Sequence, residues 1–98
     1  MITEHAILNV IPGREDDFMA TMERAKSIIA ASPGFHSLRV ERGLEHPSTF
    51  LLLAQWDSLE AHTEGFRGSG AYQEWRSLLH HFYDPFPVVE HFVGIVSA

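Results

Sequence analysis

The chain predicts an α+β fold, with elements in the order β-α-β-β-α-β and a four-stranded antiparallel sheet. Three observations predict it. Phe50–Trp56 opens as a short apolar run bounded by turn residues, which reads as a buried strand. Phe18, Met22, Ala25 and Ile29 recur at helical spacing, and Ala71, Trp75, Leu78, Leu79 and Phe82 form a second stripe. Segments with strand character stand on either side of both stripes, at Ile2–Ile11, Phe35–Arg42 and Val88–Val96.

Each element has its own local reason. In Ile2–Ile11, the side chains of Ile2, Ala6, Leu8 and Val10 share one face, and those of His5, Ile7, Asn9 and Ile11 the other. Both faces carry apolar groups, as in a strand covered on both sides. Pro12-Gly13 ends it, and Arg14-Glu15-Asp16-Asp17 opens a helix with acids where the dipole favours them. Ser32-Pro33-Gly34 stops that helix. Phe35–Arg42 alternates as a half-exposed strand, and the residues from Gly43 to Thr49 form a turn region.

The central strand ends on Gln55-Trp56, where Asp57 or Ser58 is expected to cap a short helix. The spacing Asp57-x-x-Glu60 fits a capping box. Leu59, His62 and Phe66 are expected on one face of this helix. Gly68-Ser69-Gly70 interrupts it, and Ser69 caps the next. There Tyr72, Arg76 and His81 flank the apolar stripe, and His80 is expected to point away. Asp84-Pro85-Phe86-Pro87 breaks the helix, and Val88–Val96 follows as a last strand, apolar on both faces.

This order is the ferredoxin-like split arrangement. Two helices cover only one face of a four-stranded sheet. An uncovered apolar second face would be a large exposed patch, so a homodimer packed sheet against sheet with two-fold symmetry is expected.

Composition narrows the function classes. The 98 residues make one domain, 1–98, and 45% hydrophobic with 20% charged residues is ordinary for a globular protein. The formal net charge is −6 and there is no Lys/Arg block, so nucleic acid and anionic membrane are poor partners. The absence of cysteine excludes disulfides, thiolate chemistry and cysteine-based metal sites. The N-terminus lacks the charged region of a signal peptide, so a cytoplasmic location is expected.

Strand-to-helix corners commonly frame pockets, which directs attention to Trp56 and His62. An imidazole on an apolar face titrates near neutral pH and suits proton abstraction, although a core histidine bonded to a backbone carbonyl fits the same pattern. Trp56 could offer its indole N–H to a substrate oxygen or simply plug the strand end. Seven histidines raise the question of a metal, but no His-x-x-x-His or His-Glu-x-x-His occurs. His5 and His91 are expected to meet if the first and last strands pair, with Glu4 and Glu90 on the opposite face. They are read as pocket-lining rather than metal-binding. Tyr72 and Phe66 supply aromatic surface, and Asn9 shares the face of His5.

Pro12-Gly13, Pro33-Gly34-Phe35 and Ala54-Gln55-Trp56-Asp57-Ser58 together resemble the antibiotic biosynthesis monooxygenase family of small dimeric α/β barrels. The resemblance runs nearly end to end. It implies a cofactor-independent monooxygenase that oxidises a reduced polycyclic or quinol-like aromatic with dioxygen and needs no cofactor. In anthrone-oxidising members the corresponding motif carries Asn, Trp and Tyr; here Leu52, Trp56 and His62 stand at those positions. The quinol-type members have His where this chain has Gly65. The haem-degrading members carry a Trp near the position of Phe66 and an axial His near Arg76, so neither residue matches.

The resemblance thus assigns catalysis to His62 and Trp56. A substrate pocket would involve His5, Asn9, Leu52, Phe66, Tyr72 and His91. The alternatives are a non-enzymatic dimeric module binding a small aromatic or haem, and a haem-degrading enzyme.

Overall fold

The computed structural model describes residues 1–98. Its strands are β1 (Ile2–Asn9), β2 (Phe35–Arg42), β3 (Thr49–Trp56) and β4 (Val89–Phe92), and its two main helices are α1 (Glu15–Ala30) and α2 (Gly70–Leu79). The sheet is antiparallel with order β2-β3-β1-β4, which is the expected α+β architecture. Both helices cover one face. Phe18, Met22, Ala25 and Ile29 of α1 pack there with Ala6, Leu8, Phe50, Leu52 and Ala54, and α2 adds Trp75 and Leu79.

Strand alternation decides which groups enter this core. In β1 the buried row is Glu4, Ala6 and Leu8, continued by Val10, so a carboxylate lies among aliphatic neighbours. In β3 the buried row is Phe50, Leu52, Ala54 and Trp56. The other sheet face carries His5, Ile7, Asn9, Leu51, Leu53 and Phe92, reached by neither helix, and Ile7 and Phe92 are exposed there.

The chain departs from its expected boundaries at the end of β1 and in the last strand. That strand ends at Asn9, and Val10 makes only an isolated bridge to Tyr83. The last strand is half the expected length: residues 93–98 form no ladder, and Val93, Ile95 and Val96 are exposed.

The corner after β3 is tied to the loop before β2. Asp57 N–H donates to Gly34 O at 2.8 Å, and the Asp57 carboxylate pairs with His36. Asp57 is therefore not the cap. Ser58 Oγ accepts from Ala61 N–H at 3.2 Å, and no capping box with Glu60 forms.

Residues Ala61–Phe66 then make a widened π-type turn, closed by Arg67 N–H donating to His62 O at 3.1 Å. The wider turn keeps His62 and Phe66 inward but leaves Leu59 exposed, against the expected shared face. Ser69 caps α2 through Tyr72 N–H, and Ala71 in its first turn is exposed rather than part of the stripe.

Candidate active site

β1, β3, the π-type turn and β4 bring three polar rings and one carboxylate together beneath the helices. Glu4 is 6% exposed and His62 3%. Glu4 Oε1 accepts from Trp56 Nε1–H at 3.0 Å and lies 3.4 Å from His62 Nε2. His62 Nδ1 lies 2.8 Å from His91 Nε2. Below the imidazole, Trp56 stacks with a centroid separation of 5.2 Å, and Phe66 closes the apolar side. Both nitrogens of His62 thus face partners within the protein.

Burial sets the ionisation of this cluster. It raises the Glu4 pKa above the usual carboxylate value, with the Trp56 hydrogen bond and the nearby Arg67 cation opposing the rise. His62 is pushed down to about 4, first by burial and then by Arg67 and His91. His91 is lowered for the same two reasons, burial and Arg67. At neutral pH both imidazoles are uncharged. One nitrogen of each ring then carries a proton, so the pair needs one donor and one acceptor between them.

Glu4 and His62 line a cavity of about 80 Å³ whose walls include Leu52, Phe66, Arg67, Tyr72, Trp75, His80, Tyr83 and Phe86. The walls are largely apolar and aromatic, with Arg67 the one guanidinium among them. Burial raises the Tyr83 phenol and lowers His80, so both are neutral polar groups. A wider groove of about 330 Å³ runs between α1 and β2 past Lys26 and Arg42. It holds no buried ionisable group, and its Lys26 pairs with exposed Glu23. The buried ionisable groups are at the smaller cavity.

Of the expected site residues, His62, Trp56, Leu52, Phe66, Tyr72 and His91 gather on this side of the sheet. His5 and Asn9 do not. The β1–β4 register sets Glu4 opposite His91 and His5 opposite Glu90, so the expected meeting of His5 with His91 does not occur. His5 packs against Phe92 on the other face instead, with ring centroids 5.4 Å apart. Trp56 is present but fully buried, and its N–H is committed to Glu4 rather than open to a ligand.

His80 was expected to point away, yet it lines the cavity. The helix tightens to a 3₁₀ turn over His80–Phe82, which carries the ring round beside Tyr72, Tyr83 and Phe86. Sequence reasoning missed Glu4, Arg67 and Tyr83. The one available signal was that Glu4 stands two residues before Ala6 in the inward row of β1.

Comparison with known proteins agrees with this architecture. The family model described as antibiotic biosynthesis monooxygenase matches residues 1–78. The chain is 46% identical over 95 residues to the uncharacterized protein YczJ of Bacillus subtilis, covering 97% of this chain and all of the relative. It is similar to a crystal structure from Bordetella bronchiseptica provisionally named an antibiotic biosynthesis monooxygenase, with 33% identity, 97% of each chain covered and a TM-score of 0.92. A mutant of SnoaB, a cofactor-independent oxygenase from Streptomyces nogalater, shares the fold at 16% identity. Its TM-score is 0.84, with 98% of this chain and 94% of that one covered. The chain belongs to the antibiotic biosynthesis monooxygenase family.

Proposed function

We propose that the protein is a cofactor-independent monooxygenase acting on a reduced, quinol-like aromatic. The observation that carries this reading is the buried Glu4–His62 pair, with half-buried His91 beside it, opening on an aromatic-lined cavity. A quinol that loses its hydroxyl proton becomes electron-rich enough to reduce dioxygen itself. The protein then needs to bind the ring, accept the proton and keep the site dry. Overall, quinol and dioxygen give a hydroxyquinone and water: one oxygen atom joins the ring, and the other leaves with two hydrogens of the substrate.

Within this reading the Glu4–His62 pair supplies the proton acceptor, and Arg67 faces the anion that deprotonation creates. Phe66 and Tyr72 supply the flat walls. A volume of about 80 Å³ favours a single ring over a polycycle and weighs against a porphyrin. Trp56, expected to bind the substrate oxygen, acts through the carboxylate that it holds.

The homodimer belongs to the same proposal. The face covered by neither helix carries an apolar patch of Ile7, Leu51, Leu53 and Phe92, with Arg39, Glu41 and Glu90 beside it. His5 Nδ1, a buried polar atom with no hydrogen-bond partner in the chain, lies on that face. A second copy packed there would bury the patch.

The test is oxygen uptake by metal-stripped protein against a panel of quinols, dihydroxynaphthalenes and anthrones. Uptake is expected with single-ring quinols, and His62→Ala is expected to lower it about 100-fold while the far-ultraviolet circular dichroism is kept. Tight binding of a quinol with no uptake in either protein would assign the chain to the binding modules instead.

A further inference from the structure

Every proton donor in the buried cluster can be traced to one end point. Trp56 Nε1–H has no acceptor other than Glu4 Oε1, at 3.0 Å. His62 Nε2 lies 3.4 Å from the same oxygen, an ion-pair distance rather than a hydrogen bond, and because an ionised carboxylate only accepts, it favours the tautomer with the proton on Nε2. His62 Nδ1 is then bare, and the contact of 2.8 Å to His91 Nε2 requires His91 to donate. The chain of donors therefore runs from His91 to His62 to Glu4, with Trp56 joining at the same oxygen. Neither nitrogen of His62 keeps a lone pair for a ligand.

One acceptor is left over. Glu4 Oε2 has no partner in the protein, and it is not among the buried polar atoms lacking a bond, while Glu4 itself lines the cavity. Oε2 therefore keeps accessible surface, on a residue that forms part of the cavity wall. We propose that Glu4, through Oε2, is the catalytic residue that takes the proton of the bound aromatic, and that His62 and His91 are positioning residues that hold its other oxygen.

This assignment rests on the monooxygenase reading for the identity of the substrate, but the direction of the donor chain does not. In the step itself, the substrate O–H bond breaks, its electron pair stays on the ring oxygen, and the proton forms a new bond to Oε2. The resulting phenolate is left beside Arg67.

The carboxylate suits this task better than the imidazole. Burial strengthens it as a base by raising its affinity for a proton, whereas burial and the Arg67 cation weaken His62. The titratable and charged groups around Glu4 come from each element packed on it. They are His91 across the strand pair, His62 and Arg67 from the π-type turn and its end, and His80 and Tyr83 across the cavity.

Two measurements test the proposal, one of them independent of turnover. In the first, oxygen uptake with a quinol is followed as a function of pH for wild type, Glu4→Gln, His62→Gln and His62→Phe. Glu4→Gln is expected to lower kcat by about 100-fold or more with KM little changed. His62→Gln keeps an N–H for Oε1 and is expected to lose less than about tenfold. His62→Phe removes that donor at similar volume and should move the acidic limb of the kcat/KM profile to higher pH, with His62→Gln returning it. Near-wild-type turnover in Glu4→Gln with none in His62→Gln would make the imidazole the base and overturn the proposal, leaving the monooxygenase reading intact.

In the second, side-chain NMR of the intact protein follows the Glu4 carboxyl carbon, identified by its loss in Glu4→Gln, and the histidine ring nitrogens. The proposal requires Glu4 to titrate above its ordinary range and His62 to stay neutral with its proton on Nε2 from about pH 5 to 9. A His62 proton on Nδ1, or an ordinary Glu4 titration, overturns it. Silence on the whole quinol panel would count against the monooxygenase reading alone, because the spectra decide the donor chain without turnover.

Discussion

At the scale of single residues, the buried ring of His62 couples ionisation to folding. Its folded pKa of about 4 lies below the ordinary 6.5, so the unfolded chain binds a proton that the folded chain refuses. The resulting stabilisation is present above pH 6.5 and is lost as pH falls towards 4. Glu4 acts in the opposite sense. Its raised pKa gives a contribution that is full below the ordinary value of 4.5 and is lost as pH rises through the folded value. In Glu4→Gln, where the opposing contribution is absent, thermal unfolding is expected to show a midpoint that falls on acidification below 6.5. His62→Phe should flatten that acid slope, and Glu4→Gln should remove the loss on the alkaline side.

Glu4 also marks the boundary of what the residues disclose by themselves. Trp56, His62 and Phe66 sit close in the chain, and their meeting at a corner is readable from spacing. The partner of Trp56 lies 52 positions away on another strand. Whether His5 or Glu4 meets His91 depends on the pairing register, and a slip of one residue exchanges the two faces of a strand. Hydrophobic alternation in β1 put Ala6 and Leu8 inside. It could not say that a carboxylate on the same row would be held by an indole.

Among the elements, the corner between β3 and the π-type turn depends on one small residue. Gly34 has φ +84°, and a Cβ there would stand 2.7 Å from the Cβ of Ala61, the first residue of that turn. Gly34→Ala therefore meets both an unfavourable backbone conformation and a collision. It is expected to cost roughly 2 kcal/mol or more in urea unfolding, with local displacement of the turn that carries His62. Gly13 has a similar positive φ but open space around it, so Gly13→Ala should bear the backbone cost only.

The α1 stripe is legible because one regular helix preserves one period from Phe18 to Ile29. Regularity fails twice after β3, where the turn first widens and α2 later tightens. Each change of pitch alters which side chains share a face across it, so Leu59 before the wide turn parts from His62 and Phe66, and His80 in the tight turn comes round to the cavity.

At the scale of the molecule, the sheet has one face under the helices and one that neither helix covers. Ile7 and Leu51 are paired on that second face, as are His5 and Leu53. A charge placed among them would oppose association while leaving the helical core intact. Leu53→Glu is expected to convert a dimer to a monomer in sedimentation at micromolar concentration, with far-ultraviolet circular dichroism retained. A wild-type protein that already sediments as a monomer would remove the basis for the sheet-to-sheet pairing.

The sheet order also distributes mechanical security unevenly. Glu4 and Trp56 sit on β1 and β3, each eight residues long and paired through their whole lengths, with β1 lying between β3 and β4. His91 sits on β4, a four-residue edge strand with a single neighbour and an unladdered tail. The cluster thus joins the firmest part of the fold to its most easily frayed seam. Fraying of β4 withdraws His91 and the adjoining cavity wall at Val89 without disturbing the carboxylate. Opening of this short seam is expected to admit solvent to the cavity without unfolding of the whole, which hydrogen exchange of the β4 amides would show as faster than that of β1 and β3.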